Sequence, residues 1–191
     1  KDLENLLNTN VKPVIIGPGL GKDQWAKDAL NLVLEYKGPK VIDADALDLL
    51  PRDKKIENTI LTPHPGEAAR ILNTSIAQVQ ENRFTSISSI VKIFKCGVIL
   101  KGAGSLYCND KYEINVLAEA VRALAKAGSG DVLSGIIAAI LAQGKSIDDA
   151  SKLAMVIHCK AGKLMEKDFG CSGGTSEDLV NYIAKVKKDA R

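Results

Sequence analysis

The chain has 191 residues, of which 46% are apolar and only 4% are aromatic. This length fits a single domain with an aliphatic core. Its 26 basic and 23 acidic residues give a net charge of +3, which is too small to favour a nucleic-acid partner. No apolar run reaches membrane-spanning length, so no membrane partner is expected. No signal peptide is visible, with the alternative that one was cut away before the abrupt start of the chain, and the cysteine pattern described next favours a reducing cytoplasm.

The cysteines argue for free thiols. They stand at positions 96, 108, 159 and 171, far apart and without C-x-x-C spacing. Because the chain has only two histidines as well, the pattern disfavours a zinc site.

The apolar and glycine pattern predicts strands and helices in alternation. Strands are expected at 13–17, 40–43, 59–62 and 97–100, followed by a hairpin of 106–108 and 112–116. Helices are expected from a cap at Asp23 to Tyr36, and at 68–72, 76–95, 131–143, 147–166 and 176–188, the last opening with a capping box of Thr175 and Asp178. The segment 117–124 also has a helix-like composition. This alternation predicts an α/β fold with a mostly parallel central sheet flanked by helices.

The stretch 126–135 has the strongest functional pattern. Gly128 and Gly130 permit unusual backbone angles before an apolar helix, and the first amides of a helix form an anion site. Asp131 beside such a site could accept a proton from a hydroxyl near a bound phosphate. The alternative is that Asp131 or Ser129 only caps the helix.

Further polar residues stand where the predicted strands end: Asp43, Asp45, His64, Glu67, Lys101 and Asp131. In open α/β sheets, ligands bind outside those carboxyl ends, so this coincidence favours a binding site there. The loop 17–21 (Gly-Pro-Gly-Leu-Gly) lies at another strand end but matches neither a P-loop nor a dinucleotide fingerprint.

Five of these loops, in this order, resemble the ADP/ATP-dependent NAD(P)H-hydrate dehydratases of the ribokinase-like superfamily. The matching motifs are GPGLG (17–21), DADAL (43–47), LTPHPGE (61–67), LKGAGS (100–105) and AGSGDVLSG (127–135). The resemblance runs from about residue 13 to residue 183 and implies a ribokinase-like three-layer fold. The family's domain begins with further elements, including a glycine-rich substrate loop, so we expect residues 1–191 to be a single, partial domain.

The resemblance implies that the enzyme restores NADH or NADPH from the 6-hydroxy hydrate with ADP or ATP and Mg²⁺, the ADP-using type releasing AMP and phosphate. In that reaction Asp131 is the catalytic base. The other implied contacts are Lys101, Gly102, Ala103, Gly104, Ser105, Gly128, Ser129 and Gly130 with nucleotide, Gly19, Gly21, His64 and Asp131 with substrate, and Glu67 with metal. The family habit also implies a homo-oligomer, such as a tetramer.

Alternatives remain open at several of these positions. Lys101 at a strand end is expected to be exposed, so that the fold tolerates its replacement. His64 can be purely structural, Asp43 and Asp45 can neighbour the metal or cap a turn, and His158 inside an apolar helix is expected to be structural. The family has a loop near 116–125 where this chain does not match. The alternative functions are a small-molecule kinase, such as a hydroxyethylthiazole kinase, and a nucleotide-binding module without catalysis.

Overall fold

The structure, a computed structural model, describes residues 2–7, 13–52 and 55–189. The strands are β1 (Val14–Ile16), β2 (Lys40–Ile42), β3 (Thr59–Leu61), β4 (Gly97–Leu100), β5 (Leu106–Cys108) and β6 (Ile114–Val116). The helices are α1 (Asp2–Leu7), α2 (Gln24–Glu35), α3 (Asp45–Asp48), α4 (Pro65–Leu72), α5 (Ile76–Glu81), α6 (Arg83–Phe94), α7 (Ser129–Leu141), α8 (Ile147–Phe169) and α9 (Ser176–Asp189).

The strands form one sheet in the order β1 to β6. The first four strands are parallel, with Ile16 opposite Ile42 and Ile42 opposite Leu61, whereas β5 and β6 join antiparallel. The carboxyl ends of β1 to β4 therefore lie along the same edge, and the loops that carry the polar motifs meet there.

Helices cover both faces of this sheet, because alternate strand residues point to opposite sides. On one face Ile42 and Leu61 pack in a core with α2, α4 and α6. On the other face Val41, Ile60 and Ile99 pack in a second core with α7 and α8. The result is the expected three-layer α/β fold.

Most predicted elements are confirmed, with shifted ends. Asp23 caps α2 by accepting a hydrogen bond from the Ala26 amide, and Thr175 and Asp178 bond reciprocally at the start of α9. The helix predicted at 76–95 is two helices, α5 and α6, that meet at Asn82. The helix predicted at 131–143 begins two residues earlier, at Ser129.

The helix predicted at 117–124 is wrong. Only Arg122–Leu124 forms a short 3₁₀ turn, while the preceding residues run alongside the loop after β4. The Leu117 amide donates to the Ser105 carbonyl over 2.9 Å, and the Gly104 amide donates to the Glu119 carbonyl over 3.2 Å. These bonds to another loop outweigh the local helical propensity of an alanine-rich segment.

All four cysteines are free, and three of them are buried. Within residues 2–7, 13–52 and 55–189, no helix is long and apolar enough to cross a membrane. The single, partial domain stays a prediction.

One buried lysine stands at the amino-terminal edge of the sheet. Lys40 is 2% exposed, and its Nζ donates to the carbonyls of Tyr36 (2.6 Å) and Gly38 (3.0 Å). Burial, reinforced by the charge of Lys37, lowers the pKa of Lys40 from 10.5 to about 8.

This lowered pKa predicts a pH-dependent stability. Between about pH 8 and pH 10.5 the unfolded chain holds the Lys40 proton and the folded chain does not, so this lysine makes folding more favourable as the pH rises. Relative to Lys40→Met, the wild type should gain on the order of 1–3 kcal/mol in free energy of unfolding across that window. Urea denaturation at the two limits measures it, with exposed Lys27→Met as the control. A pH-independent difference would contradict the prediction.

Candidate active site

Asp43 is the centre of the polar groups at the carboxyl edge of the sheet. Asp43 is 1% exposed and directly follows the last residue of β2. Oδ1 accepts hydrogen bonds from Lys101 Nζ at 2.8 Å and from the Ala44 amide at 2.9 Å, and Oδ2 accepts from Ser134 Oγ at 2.8 Å. One carboxylate therefore links β2, the end of β4 and α7.

The charge state of Asp43 follows from these contacts. Burial alone would raise the pKa of its carboxyl, but the Lys101 ammonium and the hydrogen bonds from Ser134 and the Ala44 amide hold the pKa below its usual value. Asp43 is therefore a buried carboxylate with an ammonium partner. This contact also corrects the expectation for Lys101, whose side chain is only 18% exposed and is paired rather than free in solvent.

The start of α7 lies next to this pair. Gly128 is the N-cap, with φ of 78°, and as a glycine it has no side chain that could cap the helix. The alternative in which Asp131 or Ser129 is the cap is wrong: Ser129 is the first helical residue, and Asp131 is an exposed residue of the first turn. Within the described part of the chain, the amides at this end have no side-chain acceptor, and the Ser129 amide makes a long bond of 3.4 Å to the Lys126 carbonyl. Helix amides without a capping side chain are suited to an anion.

Contacts from the α8–α9 connection hold the turn that leads into α7. Lys126 Nζ donates to the carbonyls of Gly173 and Gly174, each over 2.6 Å. Ser176 Oγ donates to the Ala127 carbonyl over 2.5 Å. No local sequence pattern marks Lys126 or Ser176 for this role, because both act on backbone that is distant in the chain.

His158, on α8, contacts the same turn from inside the cleft. Its Nε2 lies 3.1 Å from Ser129 Oγ and 3.0 Å from the Ser129 carbonyl oxygen. Burial, together with the nearby charge of Lys101, lowers the pKa of His158 to about 4, so the imidazole is neutral at physiological pH.

The loop 101–105 is held from beneath by Arg83, which sequence reasoning also missed. Arg83, the first residue of α6, donates to the carbonyls of Ala103 (2.5 Å) and Leu100 (3.2 Å). A guanidinium can bond several carbonyls at once because its donors are fixed in one plane. No local motif marks such a residue, since its partners lie 17 to 20 positions further along the chain.

His64 and Glu67 form a reciprocal capping box at the start of α4. His64 Nδ1 accepts from the amides of Gly66 (3.0 Å) and Glu67 (3.3 Å), while Glu67 Oε2 accepts from the His64 amide at 2.6 Å. Because Nδ1 is an acceptor, the neutral imidazole carries its proton on Nε2. His64 is thus a capping residue. Its Nε2 lies 3.3 Å from Glu67 Oε1, and its side chain is 51% exposed.

These groups line one cleft of about 530 Å³. Its polar wall contains the predicted residues Asp43, His64, Glu67, Lys101, Gly102, Ala103, Ser105, Gly128, Ser129, Gly130 and Asp131. Apolar residues also line the cleft, among them Leu117, Val121, Leu124, Leu133 and Met155. Gly104, Gly19 and Gly21 are not part of this lining, although the Gly21 amide donates to Asp45 Oδ2, over 3.0 Å, close to Asp43.

The shape of the cleft fits a phosphate-bearing ligand. A Cβ added to Gly130 would lie 2.9 Å from Lys101 Nζ, so a larger residue here would displace the ammonium from its place beside the turn. Uncapped amides and an ammonium are suitable donors for phosphate oxygens. For Mg²⁺ the fit is indirect, because Glu67 is already hydrogen-bonded and the described residues contain no cluster of three metal-ligating side chains. Mg²⁺ commonly enters such sites on nucleotide phosphates with one or two carboxylates nearby.

The Asp43–Lys101 pair predicts a strong thermodynamic coupling. Asp43→Asn should lower the free energy of unfolding by about 3 kcal/mol because it leaves a buried ammonium without its partner. Adding Lys101→Met should cost less than the sum of the single changes, by about 1–3 kcal/mol. Because the pKa of Asp43 is depressed in the folded state, the Asp43→Asn deficit should shrink as the pH falls below 3.8.

Urea denaturation of the four proteins gives this coupling. The matched control is the exposed pair Lys185–Asp168, whose side chains are 58% and 50% exposed and should couple by under about 1 kcal/mol. Additive effects at Asp43 and Lys101 would contradict the assignment.

Comparisons with known proteins agree with this geometry. A family model described as NAD(P)H-hydrate dehydratase matches residues 1–185. The bifunctional NAD(P)H-hydrate repair enzyme Nnr of Coxiella burnetii is 40% identical over 183 residues, which are 95% of this chain and 37% of that protein. The ADP-dependent (S)-NAD(P)H-hydrate dehydratase of Neisseria meningitidis is 39% identical over 169 residues, which are 84% of this chain and 57% of that protein. The chain thus spans only part of each relative.

A solved structure shares the fold. The ADP/ATP-dependent NAD(P)H-hydrate dehydratase of Bacillus subtilis, co-crystallised with ATP and Mg²⁺ and soaked with CoA, superposes with a TM-score of 0.87 at 23% identity, over 99% of this chain and 72% of that chain. The likeness confirms the ribokinase-like architecture. Since the family model covers nearly the whole chain, including every loop that lines the cleft, the protein belongs to the NAD(P)H-hydrate dehydratase family.

Proposed function

We propose that this chain carries the activity of an ADP-dependent (S)-NAD(P)H-hydrate dehydratase, which restores NADH or NADPH from the 6-hydroxy hydrate. The observation that carries the proposal is the exposed Asp131 on the uncapped first turn of α7, in one cleft with Lys101 and His64. The family assignment and the activities for which its relatives are named support it.

Nucleotide binding is assigned to two loops of the cleft, Lys101–Ser105 and Gly128–Gly130. Lys101 Nζ contacts Asp43 at 2.8 Å, and a phosphate oxygen would provide the ammonium with a further anionic partner. The amides of Gly128–Gly130 would stabilise charge on the phosphoryl group as it moves. A relative named for its use of ADP, and a solved neighbour crystallised with ATP and Mg²⁺, support ADP or ATP as the nucleotide.

Asp131 is the proposed general base. Its carboxylate takes the proton of the C6 hydroxyl while that oxygen attacks the terminal phosphorus of ADP, and AMP leaves. The C6–O bond then breaks with phosphate as the leaving group, assisted by the lone pair of the ring nitrogen. Loss of the C5 proton restores the double bond, so the sum is hydrate plus ADP giving the reduced nicotinamide, AMP and phosphate.

His64 is the proposed substrate contact. Its Nδ1 is occupied by the first amides of α4, so the proposed donor to the hydrate is the Nε2–H. Nε2 also lies 3.3 Å from Glu67 Oε1, so the hydrate would share this donor with Glu67 or displace that contact. Pro63 and Pro65 restrict the backbone on both sides of the imidazole. Gly19 and Gly21 are proposed substrate contacts by family position only, since they do not line the cleft.

Mg²⁺, when bound with the nucleotide, would neutralise phosphate charge. Glu67 is the proposed carboxylate for it. Because Glu67 Oε2 accepts from the His64 amide and lies 3.8 Å from Lys101 Nζ, it would act through water rather than as one of several protein ligands.

Replacing Asp131 tests the function and the base together. Wild-type protein incubated with NADH hydrate and ADP should regain the near-ultraviolet absorbance of the dihydropyridine and release AMP and phosphate. Asp131→Asn should lower kcat on the order of 10²-fold or more, because an amide cannot take the hydroxyl proton. Its ADP affinity should hold or tighten slightly, since a negative charge near the phosphates is removed.

Asp149→Asn is the matched control, because Asp149 is an exposed first-turn residue of α8 outside the cleft. It should keep wild-type turnover. Wild-type turnover by Asp131→Asn would refute the role of the base. Phosphorylation of an alcohol by ATP without any hydrate repair would instead indicate a small-molecule kinase.

The expected homo-oligomer and cytoplasmic location belong to the same proposal. Apolar side chains exposed on α8 and α9, among them Leu153 (43%) and Val180 (54%), are compatible with a contact between copies. Sedimentation of the purified protein measures its oligomeric state, and fractionation of the source cells measures its location.

A further inference from the structure

The first turn of α7 has little conformational restraint of its own. The N-cap Gly128 is followed by Ser129 and Gly130, so two of these three residues lack a Cβ. No side chain caps it. Glycines allow many backbone conformations, so a turn that must present amides and a carboxylate in fixed directions needs restraint from outside.

We propose that His158 is a positioning residue that supplies this restraint by hydrogen-bonding Ser129. Its effect on catalysis rests on the function proposed above, whereas its effect on the turn does not. Nothing in the sequence pattern indicated this role, because an isolated histidine in an apolar helix is usually structural.

The chemistry of the contact identifies the donor. His158 Nε2 lies 3.0 Å from the Ser129 carbonyl oxygen, which can only accept, so Nε2 carries the proton. The same N–H lies 3.1 Å from Ser129 Oγ, and the two oxygens share it. Burial, with the neighbouring charge of Lys101, lowers the pKa of His158 to about 4, so this neutral donor persists throughout the physiological range.

The position of the contact separates it from the other anchors. Ser176 binds the Ala127 carbonyl, and Lys126 itself is held by the α8–α9 connection, so both fix backbone before Gly128. His158 instead fixes Ser129, on the side of Gly128 that leads to Asp131. The bond from Ser134 to Asp43 also holds α7 on that side, but beyond Asp131 rather than at the first turn. A hinge at the left-handed Gly128 would move Asp131 and the amides relative to Lys101 if this bond were absent.

Two substitutions distinguish positioning from packing. His158→Leu removes the N–H donor and fills its place with an apolar side chain of similar size. His158→Gln retains an N–H donor at about the same distance from the backbone. Amide hydrogen exchange reads the turn without any reaction, through the Val132 amide that bonds the Gly128 carbonyl over 3.1 Å. His158→Leu should exchange there about tenfold faster than wild type, and His158→Gln should restore most of the protection.

The catalytic arm uses the same proteins. His158→Leu should lower kcat by about 10- to 100-fold, as expected for a misplaced catalytic group. Its melting temperature should stay close to that of the wild type, so that the loss of kcat does not reflect unfolding. His158→Gln should recover most of kcat. Ser151→Ala is the control, because it removes another buried bond of α8, from Ser151 Oγ to the Ile147 carbonyl, outside the cleft. It should leave both readouts unchanged.

The outcomes separate the two proposals. Unchanged Val132 exchange in His158→Leu, or equal defects in the Leu and Gln variants, would overturn the positioning role even if the enzyme repairs hydrates. Faster exchange in His158→Leu that Gln corrects would support it, even if wild type shows no hydrate turnover and the proposed function fails. Should His158→Leu not fold, the exchange and kcat of His158→Gln against a foldable His158→Met decide the question in the same way.

Discussion

The buried Asp43 carboxylate is the interaction on which the arrangement of the cleft depends. It accepts from Lys101, Ser134 and the Ala44 amide, and so joins the end of β2 to the end of β4 and to α7. A buried carboxylate without an ammonium partner would be strongly unfavourable, so Lys101 cannot leave this position freely. The same ion pair that stabilises the fold therefore fixes the position of a cation that lines the cleft.

The second constraint is that the N-cap of α7 is a glycine. A serine or aspartate cap at the start of α7 would stabilise the helix by about 1 kcal/mol, yet it would occupy amides that a bound phosphate would need. Gly128 has no side chain to occupy them, and distant side chains provide the restraint that a cap would have given. In α4, by contrast, His64 and Glu67 cap the helix fully, and that helix start provides side chains rather than amides.

The sequence predicts the layers and the edge at which the site lies, because strand composition and strand-end polar residues are local signals. It also predicts Asp131, Lys101 and His64 as members of one cleft, through motifs of the family. It does not predict Arg83, Lys126 or His158 as supports, since each acts on backbone remote in the chain. The helix expected at 117–124 failed for the same reason: its backbone bonds go to the loop 101–105, and local propensity does not report such partners.

The proposed function depends most on a phosphate group binding the amides at the start of α7, which no N-cap side chain occupies, next to Lys101. The most direct measurement is a titration of isotopically labelled protein with ADP and Mg²⁺, following the backbone amide shifts residue by residue. The account predicts that the largest shifts occur at Gly128–Gly130 and Lys101–Ser105, and that inorganic phosphate alone reproduces those at Gly128–Gly130. Saturation by ADP with these amides unmoved and the main shifts elsewhere would contradict it.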